Sequence, residues 1–260
     1  MEIKYLEWNL HAMGGCSADK NFIYKVPDFI AGYLKLVDIF VLVEFRQADK
    51  DNWQKFKDDL NDFDLYCSPY VPKGYNQVCI GIRKSLSYEL LSVVSCDFRD
   101  KCEPEFLKVG IKLDGKEISI IGTRIKTGSE RKPQVEYLKN HLQKIDQFIC
   151  LGDYNAVYTT LAGEFSMVGD VYGPRTTTNC YYSYVHENDN NDNKVGLDWL
   201  ISKGIENVHN GYSDNKQSPY ATYDWSFVTE SNGYENKTEK DYLDFDGLPD
   251  HAILKGMIEV

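Results

Sequence analysis

The sequence contains no long hydrophobic run. No apolar stretch in its 260 residues approaches the roughly 18 residues that a bilayer-spanning helix requires. The first eight residues already alternate in the manner of a β-strand, so we expect no signal peptide ahead of the fold. We therefore expect no membrane association.

Positive charge is also scarce. Lys and Arg total 29 against 40 Asp and Glu, which gives a formal net charge of −11. A chain this acidic repels polyanions at long range and cannot hold nucleic acid by bulk charge, as a basic coat protein does. A polyanionic substrate would have to be met locally, by a divalent cation or a small basic patch.

Cysteines with metal-ligand spacing are absent. The seven cysteines are odd in number and scattered along apolar runs. That distribution is typical of small core residues in a reducing compartment, so the sequence favours the cytoplasm. No linker or internal repeat divides the chain, which favours one domain over residues 1–260.

Apolar content is sufficient for one large core, since 42% of the residues are hydrophobic and 13% are aromatic. Short runs rich in β-branched and aromatic residues predict ten strands. These runs are 3–9, 38–45, 77–83, 90–95, 106–113, 117–125, 147–151, 197–202, 221–228 and 252–258. The Asp114-Gly115 step between two of them predicts a hairpin.

Helical spacing of apolar residues occurs in three segments, 22–36, 52–60 and 133–148. Ten strands and three helices in mixed order predict two sheets that pack face to face, with the helices outside them.

Polar residues stand at the ends of several of the predicted strands. They are Asn9, Glu44, Asp153, Asn155, Asp198, Asp250 and His251. A carboxylate in such an apolar setting is costly unless it is paired, hydrogen-bonded or bound to metal. Each residue alone could be a turn former or a solvated strand end. Together, at strand ends that two packed sheets can bring to one edge, they favour a site.

Five blocks of the sequence resemble, in order and spacing, the signature blocks of the endonuclease/exonuclease/phosphatase superfamily, which includes the DNase I-like nucleases. The blocks are Trp8-Asn9, Val43-Glu44, Gly152-Asp153-Tyr154-Asn155, Leu197-Asp198-Trp199 and Pro249-Asp250-His251. The Gly-Asp-x-Asn block and the final Asp-His are the specific parts. The resemblance implies an α/β fold over residues 3–258, a four-layer α/β sandwich in which two mixed, mainly antiparallel sheets pack face to face and the helices lie outside. It also implies that the protein hydrolyses a phosphoester with Mg²⁺ or Mn²⁺.

The resemblance also implies a metal site. Glu44 would be the main ligand, helped by Asn9, and Asp250 would lie beside the metal. This arrangement is chemically reasonable, because hydrolysis of a phosphodiester requires its negative charge to be shielded, and a hard cation held by oxygen ligands does so.

The remaining matched residues are implied in catalysis. Asp153 and Asn155 would orient the attacking water and the phosphate. Asp198 would fix the orientation of His251 by a hydrogen bond. His251 would then contact the scissile phosphate or act as an acid or base near neutral pH.

The chain departs from the family pattern at Arg124, which occupies a place where the family usually carries His or Tyr. Arginine is always charged and cannot usefully donate a proton, but its planar fork can clamp phosphate oxygens. We therefore predict that Arg124 stabilises the transition state electrostatically. The alternative is a strand-end arginine paired with a surface acid.

Candidate substrate contacts lie near Arg124 and further along the chain. Residues 122–134 carry four basic side chains against one acid, and Lys126 is the candidate nearest to Arg124. This patch could follow a nucleic-acid backbone, or it could be a solvated helix entry. Arg175 and Asn179 precede a tyrosine-rich stretch that could stack on bases or pack between the sheets.

The predicted function is a metal-dependent phosphodiesterase, and specifically a nuclease that acts on DNA or RNA. Nucleic acid is preferred as the substrate because of the basic patch and because no apolar membrane-docking segment is present. Two alternatives remain open. One is a small-molecule or lipid-headgroup phosphatase on the same fold. The other is a binding protein that has lost turnover, with Arg124 as the sign of that loss.

Overall fold

The computed structural model describes residues 1–10, 30–47, 50–69, 76–96, 100–173, 183–185, 194–207, 221–224 and 251–260. The strands in these ranges are β1 Glu2–Asn9, β2 Ile39–Phe45, β3 Phe63–Cys67, β4 Gln77–Arg83, β5 Glu89–Ser95, β6 Glu105–Leu113, β7 Lys116–Arg124, β8 Phe148–Asp153, β9 Asp170–Tyr172, β10 Tyr184–Val185, β11 Lys194–Val195, β12 Asp198–Lys203, β13 Glu206–Asn207, β14 Ala221–Asp224 and β15 Ile253–Glu259. The helices are α1 Lys50–Asp59, α2 Arg131–Leu142 and α3 Tyr158–Phe165. Residues 30–34 are also helical.

Two large sheets contain most of these strands. The first has the order β13-β15-β1-β2-β4-β3, with β14 also paired to β15, and the second has the order β5-β6-β7-β8-β12-β9. Within them only β1 with β2 and β7 with β8 pair in parallel, among the strands that the structure describes. Both sheets are therefore mixed and mainly antiparallel, as the family resemblance implies.

Strand β2 illustrates how the layers form. Its side chains alternate, so that Ile39, Val41 and Val43 enter the core between the two sheets, and Phe40 and Leu42 enter a second core on the opposite face. A third core lies on the outer face of the second sheet, where α2 and α3 pack. The order helix, sheet, sheet, helix is the predicted four-layer α/β sandwich. Each fully buried side chain of this kind stabilises the fold by about 1.5–3 kcal/mol.

The ten predicted strands are confirmed, although the structure describes the segment 221–228 only as far as residue 224. The predicted hairpin joins β6 to β7. Asp114 and Gly115 at its tip have φ values of 52° and 82°. A two-residue type I′ turn requires positive φ at both of these positions.

The prediction of a helix over 133–148 is wrong at its end. Helix α2 stops at Leu142, and Phe148 already begins β8, whose six residues are all buried. The apolar spacing at this end of the segment belongs to a central strand. The polar residues between the two elements form the connection.

Five cysteines fall within the described residues, and all five are free thiols. Cys79 and Cys150 are buried, as expected for small core residues. The expectation is wrong for Cys102, which is exposed in a turn where its backbone N–H donates to Asp100 Oδ1 at 2.8 Å. Of the helices described, none has the length and apolar character needed to cross a membrane.

Candidate active site

Four polar residues lie in one row across the second sheet. Glu105, at the start of β6, pairs with Arg124, at the end of β7. Arg124 pairs in parallel register with Asp153, at the end of β8. Asp153 pairs in turn with Asp198, at the start of β12. Strand register alone therefore brings these side chains to one edge of the sheet.

The first sheet contributes residues from the neighbouring strands β15, β1 and β2. Asn9 ends β1, Glu44 lies near the end of β2, and His251 precedes β15. Asn9 connects the two sheets, because its Nδ2 donates to Glu44 Oε1 at 3.3 Å and to Asp153 Oδ2 at 3.1 Å. These residues, which are far apart in the sequence, meet in one buried cluster.

Glu44 is directed into the cluster by an irregularity in β2. The pairing of β2 with β4 shifts register between Leu42 and Phe45, and Glu44 has a φ of 49°. A bulge of this kind re-aims a side chain and is common beside active sites. Asn76 Nδ2 donates to Glu44 Oε2 at 3.1 Å, so both carboxylate oxygens of Glu44 accept hydrogen bonds.

The Gly-Asp-x-Asn block has a clear steric reason for its glycine. A Cβ at Gly152 would lie 1.8 Å from the carbonyl oxygen of Thr123 on the neighbouring strand. Only glycine permits this close approach between β7 and β8. The approach allows Asp153 to follow directly at the edge of the sheet.

Asp153 is buried and accepts several hydrogen bonds. Its Oδ1 accepts from the backbone N–H of Asn155 at 2.8 Å, and its Oδ2 accepts from Asn155 Nδ2 at 3.0 Å. Burial raises the pKa of Asp153 to about 7, although the nearby His251 and Arg124 oppose this rise. A cation bound nearby would favour the ionised form.

His251 and Asp198 form a buried pair. His251 Nδ1 lies 2.8 Å from Asp198 Oδ2, and Trp8 Nε1 donates to the backbone oxygen of His251 at 2.9 Å. The carboxylate therefore fixes the ring orientation, and the tryptophan of the Trp-Asn block fixes the backbone. With Nδ1 facing Asp198, the histidine would contact a substrate through Nε2.

Arg124 lies among three carboxylates. Its Nε is 2.5 Å from Glu44 Oε1 and 3.7 Å from Asp153 Oδ2, and its Nη1 is 3.3 Å from Glu105 Oε1. The N–H of Nε forms no hydrogen bond among the described residues, so its contact with Glu44 is an ion pair alone. Burial lowers the pKa of Arg124, but the three acids more than compensate, and the net pKa is raised. The partners of Arg124 are acids of the site, which argues against the alternative of a surface pair.

Two further acids belong to the site although no sequence motif marks them. Both carboxylate oxygens of Glu7 and Oε2 of Glu105 are buried without a hydrogen-bond partner among the described residues. Burial, reinforced by Asp198, raises the pKa of Glu7 well above its ordinary range, and burial raises that of Glu105 to about 7. Glu7 was detectable in principle, because it lies two residues before Asn9 and shares its face of β1.

A cavity of about 180 Å³ opens beside Glu105 and Asn76. Lys126 also lines it, and its Nζ lies 3.3 Å from Glu130 Oε2. Arg131 of the basic patch is paired with Glu164 through two hydrogen bonds. The patch is therefore partly neutralised, and Arg124 and Lys126 are its members nearest to the site.

Three predicted site residues are not placed by the structure. Asp250, Arg175 and Asn179 lie outside the described residues. Their predicted roles at the metal and at the substrate remain predictions.

The cluster suits a hard divalent cation. Glu44 and Asp153 offer carboxylate oxygens, and Asn9 lies within hydrogen-bond reach of both. Mg²⁺ typically takes one or two protein carboxylates and completes its shell with water and substrate phosphate. No group of three or more acidic, His or Cys side chains forms a metal cluster in the described ranges. Within the described residues the fit therefore rests on Glu44 and Asn9, with Asp153 beside them, and the cationic Arg124 between the two carboxylates indicates that this position attracts positive charge.

Comparisons with known proteins identify the fold. No protein-family model and no curated protein matches the chain. Among solved structures, D. rerio TDP2 complexed with single-strand DNA product has a TM-score of 0.64 at 15% identity, covering 100% of this chain and 99% of that one. The human Nocturnin catalytic domain with bound sulfate has a TM-score of 0.63 at 15% identity, covering 99% and 94%.

A third structure carries the family name that the sequence blocks suggest. It is a Bacteroides thetaiotaomicron protein described as belonging to the endonuclease/exonuclease/phosphatase family, with a TM-score of 0.65 at 12% identity, covering 99% of this chain and 97% of that one. Identities this low establish a common fold and not a common reaction. The chain has the DNase I-like fold of the endonuclease/exonuclease/phosphatase proteins, as its sequence blocks predicted.

Proposed function

We propose that this protein is a metal-dependent phosphodiesterase, and specifically a nuclease that hydrolyses DNA or RNA by metal-assisted attack of water. The observation that carries the proposal is the buried contact of Asn9 with both Glu44 and Asp153. Buried carboxylates are costly unless a cation or hydrogen bonds compensate them. Their concentration at the edge of two sheets supports a site built for a phosphoester.

In this proposal Glu44, Asn9 and Asp250 hold Mg²⁺ or Mn²⁺. When bound, the metal would supply the positive charge that neutralises the phosphate. Arg124 adds a second, permanent positive charge beside it and can clamp phosphate oxygens.

Asp153, in its ionised form, aligns the attacking water and accepts hydrogen bonds from it. Asn155 holds the Asp153 carboxylate in place through two hydrogen bonds. His251, oriented by Asp198, presents Nε2 to the scissile phosphate and can protonate the leaving oxygen.

Nucleic acid is the proposed substrate, with Lys126, Arg175 and Asn179 as its contacts outside the reacting centre. The TDP2 structure of the same fold, complexed with single-strand DNA product, supports this choice. The five free thiols are compatible with a reducing cytoplasm, where we place the protein. We propose no membrane partner.

A panel of substrates tests the proposal. Supercoiled plasmid, single-stranded DNA, RNA, a chromogenic phosphodiester and inositol phosphates would each be incubated with Mg²⁺, with Mn²⁺ and with chelator. We expect metal-dependent cleavage of a nucleic acid. Cleavage of inositol phosphates alone would favour the small-molecule phosphatase, and no hydrolysis of any phosphoester would favour a binding protein.

A further inference from the structure

We infer that Arg124 is an internal counterion that a divalent metal must displace from Glu44, and that Glu105 is the positioning residue that receives the displaced guanidinium. The inference rests on the metal site of the proposed function. It concerns a step that precedes hydrolysis, and it can therefore be measured without substrate.

The first observation is that Arg124 is bound where a metal ligand would act. Its Nε is 2.5 Å from Glu44 Oε1, the same oxygen that accepts from Asn9 Nδ2. A magnesium ion bound to this oxygen would lie about 2.1 Å from it. Two positive charges cannot remain this close to each other around one oxygen in a buried setting without strong repulsion. The metal and Nε therefore compete for Glu44.

The second observation is that the contact with Glu44 is suited to release. Nε makes an ion pair with Glu44 but no hydrogen bond, in the part of the chain that is described. The other end of the guanidinium is held separately, because Nη1 contacts Glu105 Oε1 at 3.3 Å. Arg124 can thus leave Glu44 while it keeps its contact with Glu105.

The third observation is that Glu105 has capacity for a second contact. Its Oε2 is buried without a hydrogen-bond partner among the residues described, which is an unfavourable state for a carboxylate. A guanidinium that moves from Glu44 toward Glu105 can satisfy both oxygens of Glu105 as a fork. A cavity of about 180 Å³ also opens beside Glu105.

The exchange would couple metal binding to substrate binding. While the metal is absent, the single positive charge of Arg124 partly compensates Glu44 and Asp153 and so reduces the repulsion between the acids of the cluster. Once displaced, the guanidinium of Arg124 no longer compensates the charge of Glu44. It can then bind a phosphate oxygen near the metal. Coupling of this kind is reciprocal, so any change that strengthens the ion pair of Arg124 with Glu44 weakens the binding of the metal.

Titration of the full chain with Mn²⁺, in the absence of substrate, tests the inference. Free Mn²⁺ would be followed by electron paramagnetic resonance. Arg124→Gln should bind Mn²⁺ on the order of tenfold more tightly than the unmodified protein, within the usual range of coupling between neighbouring binding events. Arg124→Lys, which keeps the charge, should bind about as the unmodified protein does. If Arg124→Gln binds no more tightly, the inference is wrong.

The role of Glu105 needs a matched control. Glu105→Gln should weaken Mn²⁺ binding, because Arg124 then has no second carboxylate to move to. At pH 8, above the raised pKa of Glu105, Glu103→Gln removes the same charge from the wall of the same cavity and measures the long-range electrostatic contribution alone. Equal weakening by the two variants would overturn the role of Glu105, even if Arg124→Gln did not fold.

A double variant distinguishes whether Glu105 acts by positioning Arg124 or by attracting the metal directly. In the Arg124→Gln background, Glu105→Gln should have no larger effect than Glu103→Gln, because no guanidinium remains to be positioned. An undiminished effect would mean that Glu105 acts on the metal directly. If Mn²⁺ binds to none of the variants and not to the unmodified protein, the metal site of the proposed function fails as well. If it binds but Arg124→Gln makes no difference, only the present inference fails.

Discussion

Glu105 faces Arg124 across the β6–β7 hairpin because the turn between them contains two residues. Leu113 pairs with Lys116 at the tip, and the register continues without a shift to the pair of Glu105 and Arg124 at the open end. The carboxylate and the guanidinium are therefore brought to 3.3 Å by local hairpin geometry. The site, whose other residues are far apart in the sequence, thus receives one of its acids from the shortest connection in the second sheet.

Removal of the catalytic side chain from either of the two most specific sequence blocks should reduce hydrolysis by orders of magnitude. Asp153→Ala loses the carboxylate that aligns water, and His251→Ala loses the imidazole that Asp198 orients. We expect each rate with Mg²⁺ or Mn²⁺ to fall by about 10²–10⁴-fold, the usual contribution of a positioned acid or base. Hydrolysis of the substrate found in the panel would be measured alongside circular dichroism.

The matched control for these variants is Asp146→Ala, which removes an exposed acid just before β8. It should leave the rate unchanged. Near-normal turnover by either site variant, in a folded protein, would refute the assignment of catalysis to this cluster.

The charge of Arg124 should matter more than its exact shape. Arg124→His should retain more activity than Arg124→Ala, because an imidazolium among three carboxylates can still oppose phosphate charge, whereas alanine cannot. Rates for the two variants would be compared at pH 6 and pH 8. We expect the advantage of histidine to be larger at pH 6, where it is protonated. Equal rates at both pH values would contradict an electrostatic role.

Much of the site could be predicted from the sequence because its residues terminate strongly apolar strands. Asn9 and Asp153 stand at the end, and Asp198 at the start, of apolar runs that predict buried strands, and packing of the sheets brings these strand ends together. The location of Glu105 also follows from the sequence once the turn at Asp114 is taken as two residues long, since counting eight positions outward from the flanking pair of Leu113 and Lys116 reaches Glu105 and Arg124. The sequence motifs do not indicate, however, that the pair of Glu105 and Arg124 belongs to the site.

Other features could not be predicted from local pattern. The contact of Asn76 with Glu44 depends on how β4 pairs with a bulged strand, and a bulge has no reliable signature in one sequence. The strands β3 and β9 lie at sheet edges and carry polar residues on faces that touch solvent, so their apolar period is weak. These two segments become strands because they pair with neighbouring strands in the folded sheets.

Stabilisation of the protein by metal should increase with pH. In the metal-free protein, burial raises the pKa of Asp153 to about 7, so this carboxyl holds a proton below that pH. A nearby cation favours the ionised form, and binding must therefore displace the proton at pH 6 but not at pH 8. The increase in melting temperature produced by Mn²⁺ should be larger at pH 8 than at pH 6.

Asp153→Asn is the control for this pH dependence, since an amide has no proton to displace. We expect its Mn²⁺-induced increase in melting temperature to vary less between pH 6 and pH 8. An equally steep dependence in this variant would assign the effect to another group.

At pH values above the ordinary pKa of a glutamate, Glu7 should destabilise the metal-free protein. The folded state holds its carboxyl buried without a hydrogen-bond partner among the described residues, and burial raises its pKa. Above that ordinary value the unfolded chain releases the proton, whereas the folded chain must keep it or ionise at a cost. Stability therefore falls as pH rises, by up to about 1.4 kcal/mol per pH unit for one proton.

Glu7→Gln removes this titration while it keeps the shape of the side chain. In chelator, the variant should gain in unfolding free energy relative to the unmodified protein, and the gain should be larger at pH 8 than at pH 5. Urea denaturation at the two pH values measures it. Glu2→Gln, on the same strand but exposed, should change stability by less than about 0.5 kcal/mol at either pH, as surface substitutions usually do. A loss of stability in Glu7→Gln at pH 8 would mean that the ionised carboxylate is compensated by a group outside the described residues, and that Glu7 stabilises the folded state.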